Sequence, residues 1–101
     1  MSKVTMIGHF ECQEGKADEM EAVLTTMVEA ATDEPGVEIY SYHRGEGNTF
    51  WFFALMADDE SMQHHGQSEA MQVAMQSFAP LMAAPPQMSR ADPVAAIGFD
   101  F

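Results

Sequence analysis

Residues 37–57 read as two extended runs, VEIYSYH and TFWFFALMA, joined by the turn-forming Arg44-Gly45-Glu46-Gly47-Asn48. A half-exposed hairpin carries a polar residue at every second position. Here Phe50, Phe52, Ala54 and Met56 form one face of the second run while Trp51, Phe53 and Leu55 form the other. The sheet built on this hairpin therefore needs a cover on both sides. Each large apolar side chain taken out of water is worth about 1.5–3 kcal/mol, against a total stability of ~5–15 kcal/mol for a small domain. The chain has helices for one side only, and the second cover expected is another copy of the chain.

The 101 residues form one expected domain, residues 1–101, and 47% hydrophobic content suffices for a small core. Sixteen acidic residues stand against four basic ones, a formal net charge of -12. Such a surface repels phosphate backbones and anionic lipid, so neither nucleic acid nor a membrane is an expected partner. A solvated acidic face explains the charge, and a high-salt source fits it too. The single cysteine, Cys12, cannot form an intramolecular disulfide and reads as a packing residue at a strand end. Met1-Ser2-Lys3 runs into a strand pattern without an apolar leader region, so a cytoplasmic location is expected.

Along the chain, KVTMIGHFEC (residues 3–12) alternates as a strand that Gly8 either weakens or uses to leave room nearby. From Lys16 to Thr32 the period changes, with Met20, Val23, Leu24, Met27, Val28 and Ala31 at spacings of three and four. This is an amphipathic helix that must stop before Pro35, and Gly36 turns the chain into the hairpin. Asp58-Asp59-Glu60-Ser61 reads as a capped helix start. A second helical segment, set apart by Gly66, begins at Ser68 and carries Met71, Met75, Phe78 and Met82 until Pro85-Pro86. Residues 93–101, with Val94, Ile97, Phe99 and Phe101, read as a last strand. The order predicts an α+β, ferredoxin-like βαββαβ protomer: a four-stranded antiparallel sheet with helices on one face. The open face suits an isologous homodimer.

Glu34-Pro35-Gly36, then Tyr40 and His43-Arg44, then an aromatic strand, Asp58 and His65-Gly66-Gln67-Ser68 occur in an order and spacing that resembles the antibiotic biosynthesis monooxygenase family, over about residues 3 to 83. The resemblance implies a dimeric α/β barrel with a small-molecule pocket between sheet and helices. It also implies oxidation of quinols or polyphenols by oxygen with no metal, flavin or haem. Positions that carry Glu and Trp in many relatives hold Ala54 and Met56 here, and Gly8 stands where the haem-degrading branch has a pocket asparagine. The resemblance thus does not extend to haem degradation.

His65 is the candidate catalytic residue, sharing a helical face with Met62 while the adjacent His64 is rotated toward solvent. An imidazole titrates close enough to neutral pH to take a phenolic proton. Its alternative role is a buried histidine bonded to a backbone carbonyl or capping the short helix. Phe52, Met56, Tyr40, Tyr42 and His43 are the candidate substrate-binding residues, the two phenols for polar contact with an aromatic ligand. His9 and His43 either line the pocket or end their strands exposed, and Trp51 belongs to the dimer interface if the pocket uses the Phe52 and Met56 face. The recurrent methionines pack the core and give a cavity an adaptable apolar wall. No metal is expected: His65 and Glu69 have i,i+4 spacing, but nothing places a third ligand. Neither a Gly-rich phosphate loop nor a nucleophile elbow occurs. The leading expectation is a cofactor-free monooxygenase acting on a small aromatic, quinol-type substrate. Its alternatives are a non-catalytic, stress-associated or binding protein of the same fold, and an isomerase.

Overall fold

The switch from two-residue to helical periodicity at Lys16 falls where the computed structural model, which describes residues 3–101, turns from its first strand into its first helix. Met1 and Ser2, read with Lys3 as a leaderless start, lie outside the described residues. The elements run β1 (Val4–Glu11), α1 (Ala17–Ala30), β2 (Val37–Arg44), β3 (Thr49–Met56), α2 (Asp59–Gln67), α3 (Glu69–Phe78) and β4 (Gln87–Ala91). The sheet order is β2-β3-β1-β4, with each neighbouring pair antiparallel. This is the expected ferredoxin-like α+β architecture.

Register sorts the side chains. Phe10 lies opposite Phe50, Gly8 opposite Phe52, and Met6 opposite Ala54, while Tyr42 and Tyr40 extend the same rungs onto β2. These residues share the inner face, which meets Met20, Leu24 and Met27 of α1 and Phe78 of α3 in one buried cluster. Cys12 is buried in that cluster, consistent with a packing role. Phe10 is its hub, with ring centroids 5.7 Å from Phe50 and 5.1 Å from Phe78. Gly8 lies close against β4. A Cβ there would meet Phe52 Cε1 at 2.9 Å and collide with the Gln87 backbone oxygen. Gly36, at φ +83°, makes the turn after Pro35 with no room for a side chain beside Ser61.

Three element boundaries differ from expectation. The break between α2 and α3 falls at Ser68, not Gly66: Ser68 caps the second helix by accepting a hydrogen bond from Met71 N at 3.1 Å. Helix α3 ends at Phe78, well before Pro85, because Pro80 turns the chain into a 3₁₀ segment, Ala79–Leu81. The last strand is Gln87–Ala91, not residues 93–101. Its five exposed residues lack an apolar alternation to signal it, and the later stretch contains Pro93 and Gly98 at φ +110°.

That C-terminal stretch has another place. Phe99 lies 6.1 Å from Phe53 and 6.2 Å from Phe101, so the tail runs across the outer face of the sheet. Leu55 and Thr5 of that face are already 0% and 4% exposed in the single chain. The expectation that Trp51, Phe53 and Leu55 all lie bare is corrected accordingly. Trp51 and Ile7 stay about half exposed, at 49% and 45%.

Candidate functional site

Asp58 starts α2 by accepting hydrogen bonds from Ser61 N at 2.8 Å and Ser61 Oγ at 2.7 Å, which hold its carboxyl below the usual range. The helical register that follows turns Met62 and His65 toward the sheet, and both line a cavity of about 390 Å³ between the sheet and α2–α3. Glu34, in the loop that ends α1, reaches His65 Nδ1 at 2.6 Å, and both side chains are close to nine-tenths covered. An ionised carboxylate can only accept. In a neutral imidazole this partner puts the proton on Nδ1 and leaves Nε2 as the acceptor.

Opposite His65 stand two phenols. The Tyr40 ring meets the His65 ring edge-on, centroids 4.9 Å apart at 83°, and the Tyr40 and Tyr42 hydroxyls lie 2.8 Å apart. Burial, first of all, pushes both phenols above their ordinary value; the Tyr42 hydroxyl and Glu34 push Tyr40 further in the same direction. Both stay neutral across physiological pH. The rest of the wall is apolar: Phe10, Phe52, Ala54 and Phe78, with methionines 6, 27, 56, 62, 71, 75 and 88. No Lys or Arg lines it. The four cations of the sequence are paired elsewhere with acids: Lys3 with Glu38, Lys16 with Glu19, Arg44 with Asp18 and Glu21, and Arg90 with Asp59.

The cavity thus brings together His65, Phe52, Met56, Tyr40 and Tyr42. His43 is not part of it. Its β2 position points to the outer face, where it is exposed with Nε2 3.0 Å from Ser41 Oγ. His9 is on that face too, its ring 4.8 Å from Trp51. His65 bonds neither a backbone carbonyl through its ring nor a helix end, the alternatives left open by sequence, but a carboxylate 31 positions away. Glu34 is the residue that sequence reasoning missed as part of the site. Its place before Pro35-Gly36 marked a turn, and only the fold shows that the turn lies beside α2.

The His65 and Glu69 spacing does not survive the break at Ser68, because Glu69 begins α3 and borders a shallow groove against α1. That groove, about 580 Å³, opens on the solvent side of the helices and holds no histidine or tyrosine. Tyr40 and Tyr42 also border a groove of about 350 Å³ along the β2 edge, with Glu21, Glu29 and Arg44. Among the described residues no group of three His, Cys, Asp or Glu is placed to hold a metal ion, and no helix is long and apolar enough to cross a membrane.

Solved structures share this arrangement of elements. A protein of Caulobacter crescentus that carries the name of antibiotic biosynthesis monooxygenases is 24% identical, with a TM-score of 0.87 over 93% of this chain and 92% of its own. A Nitrosomonas europaea protein of unknown function is 22% identical, with a TM-score of 0.85 over 100% and 98%. SnoaB, a cofactor-independent oxygenase from Streptomyces nogalater solved as a point mutant, is 14% identical, with a TM-score of 0.85 over 98% and 100%. At these identities the likeness shows the fold. A search of curated proteins finds no match. The family model for antibiotic biosynthesis monooxygenase matches residues 3–77, three quarters of the sequence and all of the cavity lining except Phe78, Pro86 and Met88, and the chain belongs to that family.

Proposed function

We propose that the protein is a cofactor-independent monooxygenase of small aromatic, phenol- or quinol-type substrates, a single domain working as a cytoplasmic homodimer. The observation that carries this reading is the Glu34–His65 pair at 2.6 Å, which in the neutral imidazole leaves one nitrogen as acceptor on the wall of a cavity whose other polar side chains are Tyr40 and Tyr42. A base oriented by a carboxylate is what phenol deprotonation asks for. The phenolate that results is electron-rich enough to reduce oxygen itself.

The chemistry balances without an outside reductant. His65 Nε2 takes the hydroxyl proton, and the anion transfers an electron to O₂. The substrate radical and superoxide then combine at a ring carbon, and the imidazolium returns the proton to give a hydroperoxide. Loss of water from that carbon, with the ring hydrogen, leaves a quinone-type carbonyl. One oxygen atom stays in the product, the other leaves as water, and all four electrons come from the substrate. The protein supplies orientation, a base and a dry enclosure.

Oxygen-electrode measurements with 1-naphthol and anthrone test the reading. Wild type should consume oxygen, and His65→Ala should lose at least about a hundredfold of the rate, the size of a general-base contribution. Uptake by wild type that His65→Ala leaves unchanged would refute it. A second reading, a binding protein of the same pocket, is favoured by Ala54 and Met56 at the positions where many relatives hold Glu and Trp; it predicts binding without uptake. An isomerase would convert substrate without consuming oxygen. The homodimer is supported by the half-exposed Trp51 and Ile7 on the outer sheet face beside the apolar tail, whose Val94 and Ile97 are 89% and 104% exposed.

A further inference from the structure

Taking a proton from a phenol inside this cavity leaves a negative charge among methionines and phenylalanines. No lysine or arginine lines the wall to balance it. An anion moved out of water without hydrogen bonds is strongly disfavoured. Something in the wall must donate to it, and the side chains available are few. His65 takes the proton, and the remaining polar side chains are Tyr40 and Tyr42.

Their geometry fits a donor. The two hydroxyls, 2.8 Å apart, hold two protons between them, and the bond they share uses one whichever way it points. Among the described residues no protein acceptor takes the second. Tyr40 also packs edge-on against the His65 ring, and both tyrosines line the same cavity as that imidazole. Phenols in series polarise one another, which strengthens the outer donor.

We propose that the Tyr40–Tyr42 pair is the hydrogen-bond donor that holds the substrate oxygen and stabilises its anion once His65 has removed the proton, so that the pocket selects neutral aromatic alcohols. This rests on the reading of His65 as a base. Burial raises both phenols above their ordinary value, so a bound substrate phenol ionises before the pair does, and the pair keeps its proton to donate. Aromatic alcohols that also carry a carboxylate or phosphate are rejected, because this second charge would meet neither a cation nor a further side-chain donor in the cavity.

The test uses 4-nitrophenol, whose visible absorption reads the ionisation state of the bound phenol directly, with nitrobenzene as the ligand that lacks the hydroxyl. Wild type, Tyr40→Phe and Tyr42→Phe all keep the aromatic rings that pack against Phe10, Phe52 and His65. Wild type should bind the nitrophenolate, and at least one Phe variant should bind it about ten- to a hundredfold more weakly, the size of one hydrogen bond to a charged acceptor. Nitrobenzene affinity should not change. Equal nitrophenolate affinity in all three proteins would overturn the proposal, as would a failure of wild type to bind it at millimolar concentration. Oxygen uptake separates this from the wider reading. Uptake by wild type that both Phe variants match overturns the donor and leaves the oxygenase standing. No uptake by wild type, with tyrosine-dependent nitrophenolate binding, removes the oxygenase and leaves the donor.

Discussion

Removing the Glu34 carboxylate isolates the contact that organises the site. The bond to His65 Nδ1 is 2.6 Å long, and its side chains are only 12% and 11% exposed, so water and salt screen it little. A hydrogen bond to a charged group contributes about 1.5–3 kcal/mol, and more of that range is lost when the remaining partner stays buried without a replacement. For a domain of 101 residues, an unfolding entropy of about 2.1 cal/mol/K per residue converts this to a fall in Tm of roughly 7–14 °C for Glu34→Ala. Glu34→Gln should fall between the two, since a neutral acceptor forms a bond about half as strong. Circular dichroism melts at one fixed protein concentration measure this, the concentration being held because oligomers shift Tm by mass action. A double-mutant cycle with His65→Ala should give a coupling of about 1.5–3 kcal/mol at the low end or above. A coupling below ~0.5 kcal/mol would show that the two side chains do not support one another, and the reasoning about tautomer and orientation would fail with it.

Three further outcomes follow from the structure. The chain has two tyrosines, both with raised pKa through burial; their folded-state value lies above the unfolded one, so stability is full below about pH 10 and falls as pH rises beyond it. Tyrosinate absorbance at alkaline pH should therefore appear only together with unfolding, and reversible titration near the ordinary phenol value in a folded chain would contradict the buried pair. Gly8→Ala should destabilise the fold by about 1–3 kcal/mol through overpacking against Phe52 and the Gln87 backbone, read by urea denaturation; a neutral result would mean that β4 is not seated on β1 as described. Trp51→Glu should convert a dimer to a monomer in sedimentation velocity, since it places a charge on the half-exposed outer face, whereas a wild type that is monomeric at micromolar concentration would remove the second copy.

Much of the fold was legible because apolar periodicity is a direct print of burial. Met20, Leu24 and Met27 announced the buried stripe of α1, and the Phe50 to Met56 run announced a central strand. Legibility failed where structure is set by partners rather than by composition. Gln87–Ala91 pairs with β1 as an exposed edge strand, and backbone hydrogen bonds leave no mark on side-chain pattern. The tail misleads for the opposite reason: its apolar Phe99 packs on Phe53 without belonging to a strand. In the cavity, the helical face of His65 and the strand parity of Tyr40 and Tyr42 are legible in the sequence. Glu34 stayed hidden because its partner lies 31 positions away and only the return of the chain through β2 and β3 brings them together. His43 was lost by parity as well, since one step along β2 from Tyr42 reverses the face.

Incorporation of ¹⁸O from labelled oxygen gas into 1-naphthol, followed by prompt extraction and mass spectrometry, tests most directly whether the His65 cavity carries out oxygenation. One labelled atom should appear in the quinone formed by wild type, with none when the label is in water, and His65→Ala should form almost no product. Wild-type protein that binds the naphthol yet yields no labelled quinone would contradict an oxygenating role for the cavity.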